Sequence, residues 1–277
     1  MEGQTKINGV VAIVANYGFS AEADNLKRIL GKSFDTVLVD NSSPSPPKSV
    51  DITLPNKYYT GLWNAAVEQA ILKNKEWLLF IASDVEILDT DAFVSRIDEI
   101  SRMRGIGLYT PSLSRTSRLA YPVCFRQDSK GLRECFVCEG FLFLIRTKIV
   151  SRIYPVDNAI NKYGWGLDAY AGYLTYLAGY RAVVDDRVLI HHPAAIHEIP
   201  IEDARAQVKI YLPATVWKFL VWAELQIFKQ SHRSSATNYI LAPLSHIRWR
   251  GQEFLRLACR RLRDAVTTEM AIFNSKV

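Results

Sequence analysis

Val10 to Ala15 is an unbroken apolar, β-branched run that predicts a short buried strand, ended by polar Asn16. Ser20 to Leu30 then has helical spacing, with Ser20 placed to cap it. Thr36 to Val39 is a second buried-type strand ending in Asp40-Asn41, and Ser42 to Pro47 is a Ser/Pro-rich loop. Asp51 to Leu54 fits a further strand. Thr60 to Leu72 carries Leu62, Ala65, Ala66, Gln69 and Leu72 at helical spacing, and Trp77 to Ala82 is again a buried strand. Strands alternating with helices of this length predict an α/β fold, a parallel sheet with helices on both faces. Ligands in such sheets sit beyond the carboxyl ends of the strands. Here those ends carry Asn16-Tyr17, Asp40-Asn41 and Ser83-Asp84.

The pattern changes after a helix over Asp91 to Met103. Gly107 to Leu113, Arg118 to Phe125, Arg133 to Val137 and Phe141 to Ile145 read as short strands separated by turns, which makes the second half mixed or antiparallel. Leu167 to Ala178 predicts a helix stopped by Gly179, and Val183 to Ile190 a last strand or pair of strands before His191-His192-Pro193. Asp185-Asp186 reads as a turn. Helical patterns follow from Ile201, broken near Ser231 to Asn238 and at Pro243, so the expected division is a catalytic domain over 1–200 and a helical extension over 201–277.

Composition changes this picture little: 49% hydrophobic and 22% charged residues in a chain of 277 belong to an ordinary globular protein. Charge changes it more. The net +6 is concentrated in the tail, where residues 205–277 hold 12 Lys/Arg against 4 Asp/Glu, a balance of +8, leaving −2 on the first 204. Four cysteines are too few for a disulfide framework, and Cys135/Cys138 form a lone CxxC with no second pair, so buried thiols are expected. Met1 to Asn8 has no apolar signal-like run and no segment is long enough to span a bilayer, which points to a cytoplasmic protein, peripheral on the membrane at most.

Several chemistries drop out. Gly31-Lys32-Ser33 lacks the earlier glycine of a phosphate loop, no GxGxxG follows the first strand, and no GxSxG elbow is present. What remains is a set of acidic residues at strand ends. Asp84 and Glu86 follow the run Trp77 to Ala82, where hard oxygen ligands suit Mg²⁺ or Mn²⁺ bridging a diphosphate. The local alternative is that one of them caps the next helix.

Three segments together carry a resemblance. Val37-Leu38-Val39-Asp40-Asn41-Ser42-Ser43, then Asn56-Lys57-Tyr58-Tyr59-Thr60-Gly61-Leu62-Trp63-Asn64-Ala65-Ala66, then Leu78-Leu79-Phe80-Ile81-Ala82-Ser83-Asp84-Val85-Glu86-Ile87 occur in the order seen in family 2 glycosyltransferases of the GT-A fold, and the chain resembles that family over residues 10–192. The resemblance implies an inverting, metal-dependent transfer of a sugar from a nucleotide-sugar donor to a hydroxyl on a glycan or lipid-linked glycan. It implies donor contacts from Asn16, Tyr17, Asp40, Asn41, Asn64 and Ser83. Metal contacts would come from Asp84, with Glu86, and from His191 or His192, where the family often carries a histidine. Gly164-Trp165-Gly166-Leu167-Asp168 is similar to the family's acidic motif at the acceptor-side helix, which makes Asp168 the general base, with Glu139 and Trp165 on the acceptor side. Two departures stand out: Ala82 replaces the first Asp of an Asp-x-Asp pair, and Leu167 replaces a common Glu.

Those departures keep open a catalytically silent relative serving as a membrane-associated assembly partner. A sugar nucleotidyltransferase is the other alternative, although it needs a Gly-rich loop after the first strand and only Gly18 lies there. In the tail, Val216 to Lys229 reads as a helix apolar almost all round, as buried helices are. Residues 246–263 alternate apolar side chains with six arginines, a basic amphipathic stretch that suits either an anionic membrane surface or packing on the domain. No nucleic-acid-binding signature accompanies the charge.

Overall fold

The structure is a computed structural model that describes residues 6–115, 117, 121–127, 131–193 and 199–231. The first half runs β1 (Val10–Asn16), α1 (Ser20–Leu30), β2 (Asp35–Asp40), β3 (Ile52–Thr53), α2 (Tyr58–Leu72) and β4 (Trp77–Ala82). Next come β5 (Glu86–Ile87), α3 (Thr90–Ser101), β6 (Ile106–Leu113), β7 (Leu132–Glu134), β8 (Leu142–Arg146), α4 (Thr147–Val150), α5 (Leu167–Leu177) and β9 (Arg181–His191). Helices α6 (Ile201–Tyr211) and α7 (Ala214–Ser231) follow. The chain forms two compact units, Met1–Leu212 and Pro213–Val277. Helix α6 lies in the first of them.

One nine-stranded sheet organises the first unit, in the order β3-β2-β1-β4-β8-β6-β9-β5, with β7 also paired to β9. Strands β3, β2, β1 and β4 are parallel, and β8 enters antiparallel between β4 and β6. Strands β6 and β9 are parallel, while β5 and β7 each run antiparallel to β9. The parallel strands are apolar on both faces because both are covered: every residue of β1 is buried. The connection from β1 to β2 and that from β3 to β4 move in opposite directions along the sheet, so the right-handed crossover rule puts α1 and α2 on opposite faces. Under α2, Phe80 and Phe143 stack at 5.2 Å and Trp63 lies 5.5 Å from Phe143, which ties β4, β8 and α2 into one core.

Register levels the strand ends. Asn16 lies opposite Asp40, and Ala15 lies opposite Ala82, so Asn16, Asp40 and Ser83 leave the sheet at the same height. Topology supplies the rest: the strand order reverses at β1/β4, and a crevice opens at such a switch point.

Local expectations fail where a side chain finds a better partner. Ser20 is not the cap of α1; Phe19 holds that position and the Ser20 hydroxyl donates to the Ser45 carbonyl. Neither Asp84 nor Glu86 caps α3, because Asp89 accepts from the Ala92 amide instead and Glu86 is taken into β5. Of the strand expected over Arg118 to Phe125, the described part makes a 3₁₀ turn at Pro122–Cys124 and a single bridge from Phe125 to Leu113. Asp185 and Asp186 are no turn. Both are buried in β9, Asp185 against Arg96 and Asp186 in a two-pronged contact with Arg133 at 2.7 and 2.8 Å. Sequence spacing cannot foresee that pairing because the arginines lie 89 and 53 residues away.

Cys124, Cys135 and Cys138 are free and buried, and burial raises all three thiols, Cys135 to about 12. Such protonated thiols are poor nucleophiles and poor metal ligands. No helix among the described residues is long and apolar enough to cross a membrane. The helix breaks at 231–238 and at Pro243, and the basic stretch 246–263, lie outside the described residues.

Candidate active site

Asn16, at the end of β1, joins three strand ends. Its side-chain amide donates to Asp40 Oδ1 at 2.8 Å and to Ser43 Oγ at 3.0 Å, and its carbonyl accepts from Ser83 Oγ at 2.7 Å and from the Phe19 amide at 3.1 Å. Asp40 is fully buried, and both of its oxygens are engaged, by Asn16, by the Ser43 amide at 3.0 Å and by the Ser43 hydroxyl at 2.6 Å. Ser43 also accepts from the Gly18 amide at 2.8 Å, which fixes the loop carrying half-buried Tyr17. Asn41 turns toward the start of α2, accepting from the Lys57 amide at 2.8 Å and donating to Asn56 Oδ1 and the Tyr58 carbonyl. Asn64 is committed elsewhere: it pairs with both backbone groups of Val156, at 2.8 and 2.9 Å. Thus Asn16, Asp40, Asn41 and Ser83 form one connected floor, and Asn64 braces α2 against the segment before α5.

Beside that floor, Asp84 meets His192. His192 Nε2 lies 3.1 Å from Asp84 Oδ2, and the imidazole stacks on Phe141 with ring centroids 4.0 Å apart. Position 192 follows β9, and Phe141 leads into β8, whose pairing with β4 brings the Phe141 carbonyl to the Ala82 amide at 2.7 Å. The two adjacent histidines diverge as neighbours on an extended chain must. His191 faces Ser114 Oγ, 2.9 Å from its Nδ1, and pairs through the backbone with exposed Glu86. Glu86 and His191 therefore share the β5–β9 ladder, while Asp84 and His192 face each other.

The acceptor-side candidates gather around two tyrosines. Asp168 occupies the first turn of α5, its Oδ1 accepting from the Ala169 amide at 2.8 Å, where a helix N-terminus favours negative charge. Glu139 is buried and accepts from the Tyr121 amide. Tyr59 and Tyr121 both have phenols pushed well up, by burial first and then by the charge of Asp168, with Glu139 adding to it. The two carboxylates thus act on the same pair of rings. Tyr59 donates to the Gly140 carbonyl, and its ring fills the space where a side chain on Gly164 would be, 2.1 Å from that absent Cβ. Trp165 is half-buried in the turn before α5, its carbonyl accepting from Asn161 at 3.0 Å.

A single run of contacts links these groups: Asp40 to Asn16, Asn16 to Ser83, Asp84 to His192, His192 to Phe141, and Gly140 to Tyr59 under the charge of Asp168. Sequence reasoning missed Ser43, Tyr59, Tyr121 and Phe141. Ser43 and Tyr59 stand inside the motifs quoted above, yet only their partners across the fold mark them out. A cleft of about 780 Å³ lies elsewhere, lined by Gly9, Trp77, Arg146 and Tyr180 near the amino ends of β1 and β4. Arg146 is spent on Glu76 and on backbone carbonyls, and none of the acidic candidates lines this cleft.

Compared with solved structures, the chain superimposes on GalNAc-T7, determined with UDP, GalNAc and Mn²⁺, with a TM-score of 0.51 at 10% identity, over 76% of this chain and 49% of the other. S. aureus TarS 1-349 gives a TM-score of 0.50 at 16% identity, over 68% of this chain and 60% of that one. The chain has the GT-A fold. It spans about half the length of the GalNAc-T7 chain and three fifths of the TarS chain. No family model matches the sequence, and no curated protein does.

In this GT-A sheet the chemistry of Asp84 and His192 fits a divalent cation. One carboxylate oxygen of Asp84 and the Nε2 nitrogen of His192 meet at 3.1 Å, both donor types that such an ion accepts. No three His, Cys, Asp or Glu side chains converge among the described residues. Mg²⁺ and Mn²⁺ suit so sparse a protein set when phosphate oxygens and water supply the remaining ligands.

Proposed function

We propose that the protein is an inverting, family 2-type glycosyltransferase that moves a sugar from a nucleoside diphosphate to a hydroxyl acceptor, in surface polysaccharide or glycan synthesis. The observation that carries this is the Asp84–His192 pair placed against the Asn16–Asp40–Ser83 floor, with the Asp168 helix start reached through Phe141 and Tyr59. The GT-A fold and the Mn²⁺ and UDP present with GalNAc-T7 support it.

Each residue then has a defined task. Asn16, Asp40 and Ser43 hold the strand ends rigid so that Tyr17, Asn41 and Ser83 present the donor's nucleoside and phosphates with a fixed surface. Asp84 and His192 would hold Mn²⁺ or Mg²⁺, which when bound would supply positive charge to stabilise the departing diphosphate. Glu86 and His191 keep the β5–β9 ladder in place behind them. Asp168 takes the proton from the acceptor hydroxyl as that oxygen attacks the anomeric carbon from the side opposite the diphosphate. Glu139 and Trp165 contact the acceptor or the transferred sugar.

Thermal melting with a panel of nucleoside diphosphates, with and without Mn²⁺, tests the reading. A ligand that binds the native state raises its melting point. The expected result is stabilisation by at least one nucleoside diphosphate that requires Mn²⁺ and disappears in Asp84→Ala. Stabilisation that is equal in wild type and Asp84→Ala, or none with any nucleoside diphosphate, overturns it.

A further inference from the structure

At the rim between the donor floor and the Asp168 helix, the backbone of Tyr58 adopts a conformation that its side chain disfavours. Its φ is +53°, in the left-handed region, and 42% of the residue is exposed. A bulky aromatic is a rare occupant of that region, and strain of this kind persists only where surrounding structure enforces it. The enforcement is visible: Asn41 donates to the Tyr58 carbonyl at 3.3 Å, and Asn56 Oδ1 accepts from the Tyr58 amide at 3.2 Å. Glycine would take this backbone without cost. The chain holds a large ring there instead, half in solvent.

The ring has two neighbours of matching chemistry. Tyr163 meets it edge-on with centroids 5.4 Å apart, and the Lys162 ammonium stands 5.2 Å from the Tyr58 ring and 4.8 Å from the Tyr163 ring. Lys162 forms no salt bridge among the described residues, and a hydrogen bond with Tyr163 first, with the more distant charge of Asp203 adding to it, keeps its pKa above the ordinary value. The segment is locked to α2: the Thr60 amide donates to the Lys162 carbonyl at 3.3 Å, and Thr60 Oγ1 donates to the Asn161 carbonyl. Asn161 in turn holds the Trp165 carbonyl three residues before Asp168.

Aromatic faces bind the C–H faces of sugar rings by burying apolar surface, and an ammonium not held in a salt bridge binds carboxylate or phosphate. We propose that Tyr58 and Lys162, backed by the buried ring of Tyr163, form the acceptor subsite and select a glycan that carries a negative charge next to the sugar that stacks on Tyr58. This rests on the glycosyltransferase reading above and adds a substrate class to it.

Calorimetric titration of the full chain, with Mn²⁺ and the nucleoside diphosphate that stabilises it, tests the proposal. The probes are three oligosaccharides of equal length: one neutral, one bearing glucuronate, one bearing a glycerol-phosphate ester. Wild type should bind one or both anionic probes at least tenfold more tightly than the neutral one, and the two anionic arms tell carboxylate from phosphodiester. Lys162→Gln should remove that preference, so that the anionic probes bind no more tightly than the neutral one. Tyr58→Phe should bind as wild type does. Tyr58→Gly should weaken every probe at least tenfold while melting no lower than Tyr58→Ala, since only glycine relieves the backbone. A wild type that shows no anionic preference overturns the proposal, as does a Tyr58→Gly protein that binds all probes normally. Retained nucleoside diphosphate binding in those cases strikes the subsite alone. Loss of Mn²⁺-dependent nucleoside diphosphate binding in the wild type strikes the catalytic reading.

Discussion

Asp168 and Gly164 show how closely a single residue's role depends on what surrounds it. A carboxylate in the first turn of α5 is favoured by the helix dipole whatever its function, so stability alone does not reveal a base. Turnover does. Asp168→Asn keeps the size and the hydrogen bond from the Ala169 amide but cannot take a proton. The expected outcome is kcat lowered by orders of magnitude, about 10²–10⁴-fold, with nearly unchanged nucleoside diphosphate affinity by titration. Gly164 has φ +69°, and a Cβ there would meet Tyr59 Cδ1 at 2.1 Å. Gly164→Ala therefore adds left-handed strain and overpacking, together about 2–4 kcal/mol, read as a lower urea midpoint. Because Tyr59 anchors Gly140, the substitution should also reduce turnover.

At the scale of elements, the strand ends behave as one assembly. The parallel register of β1 with β2 and β4 would leave Asn16, Asp40 and Ser83 as buried polar groups facing apolar strands, and four hydrogen bonds from Asn16 alone resolve that conflict. Asn16→Leu fills similar volume and leaves Asp40 and Ser83 short of partners, a loss of about 3 kcal/mol from unmet buried groups. Thermal melting should show the loss, and nucleoside diphosphate binding should weaken with it even though residue 16 need not touch the ligand. A melting point within a degree of wild type would show that water replaces the asparagine. The same elements explain how the histidines part. Extension of the chain past β9 sends His191 and His192 in opposite directions, and the β5–β9 pairing decides which of them faces Asp84.

Across the whole molecule, buried acids of high pKa set a limit on alkaline stability. Cys124, Cys135 and Cys138, with Tyr59, Tyr109 and Tyr121, are all raised by burial above their ordinary values of 9.0 and 10.0. In the unfolded chain these groups release protons from about pH 9 upward, whereas the native protein retains them. The unfolded state then binds fewer protons, so stability falls as pH rises through this range and is insensitive to these groups below it. Urea midpoints measured from pH 7 to 11 should be level to about pH 8.5 and then decline. A midpoint that stays level to pH 11 would mean that the groups ionise in the native state. The same burial shields the thiols, so alkylation at neutral pH should leave Cys124, Cys135 and Cys138 unmodified until the chain is unfolded.

The sequence alone was enough for most strands, most helix positions and the polar ends of β1, β2 and β4, because continuous apolar runs and 3.6-residue spacing reflect burial that each segment requires wherever it packs. Even local caps escaped it: the Ser20 hydroxyl finds its partner at Ser45, outside the window that a pattern spans, while Asp89 caps α3 through the Ala92 amide just ahead of where the apolar spacing starts the helix. Asp185 and Asp186 became core ion pairs only through arginines far along the chain. The facing of His192 toward Asp84, the burial of Asp40 and the gathering of Tyr59, Glu139 and Asp168 were likewise decided by tertiary structure. Each depends on strand register and on the antiparallel insertion of β8, long-range pairings whose free energy belongs to no single segment.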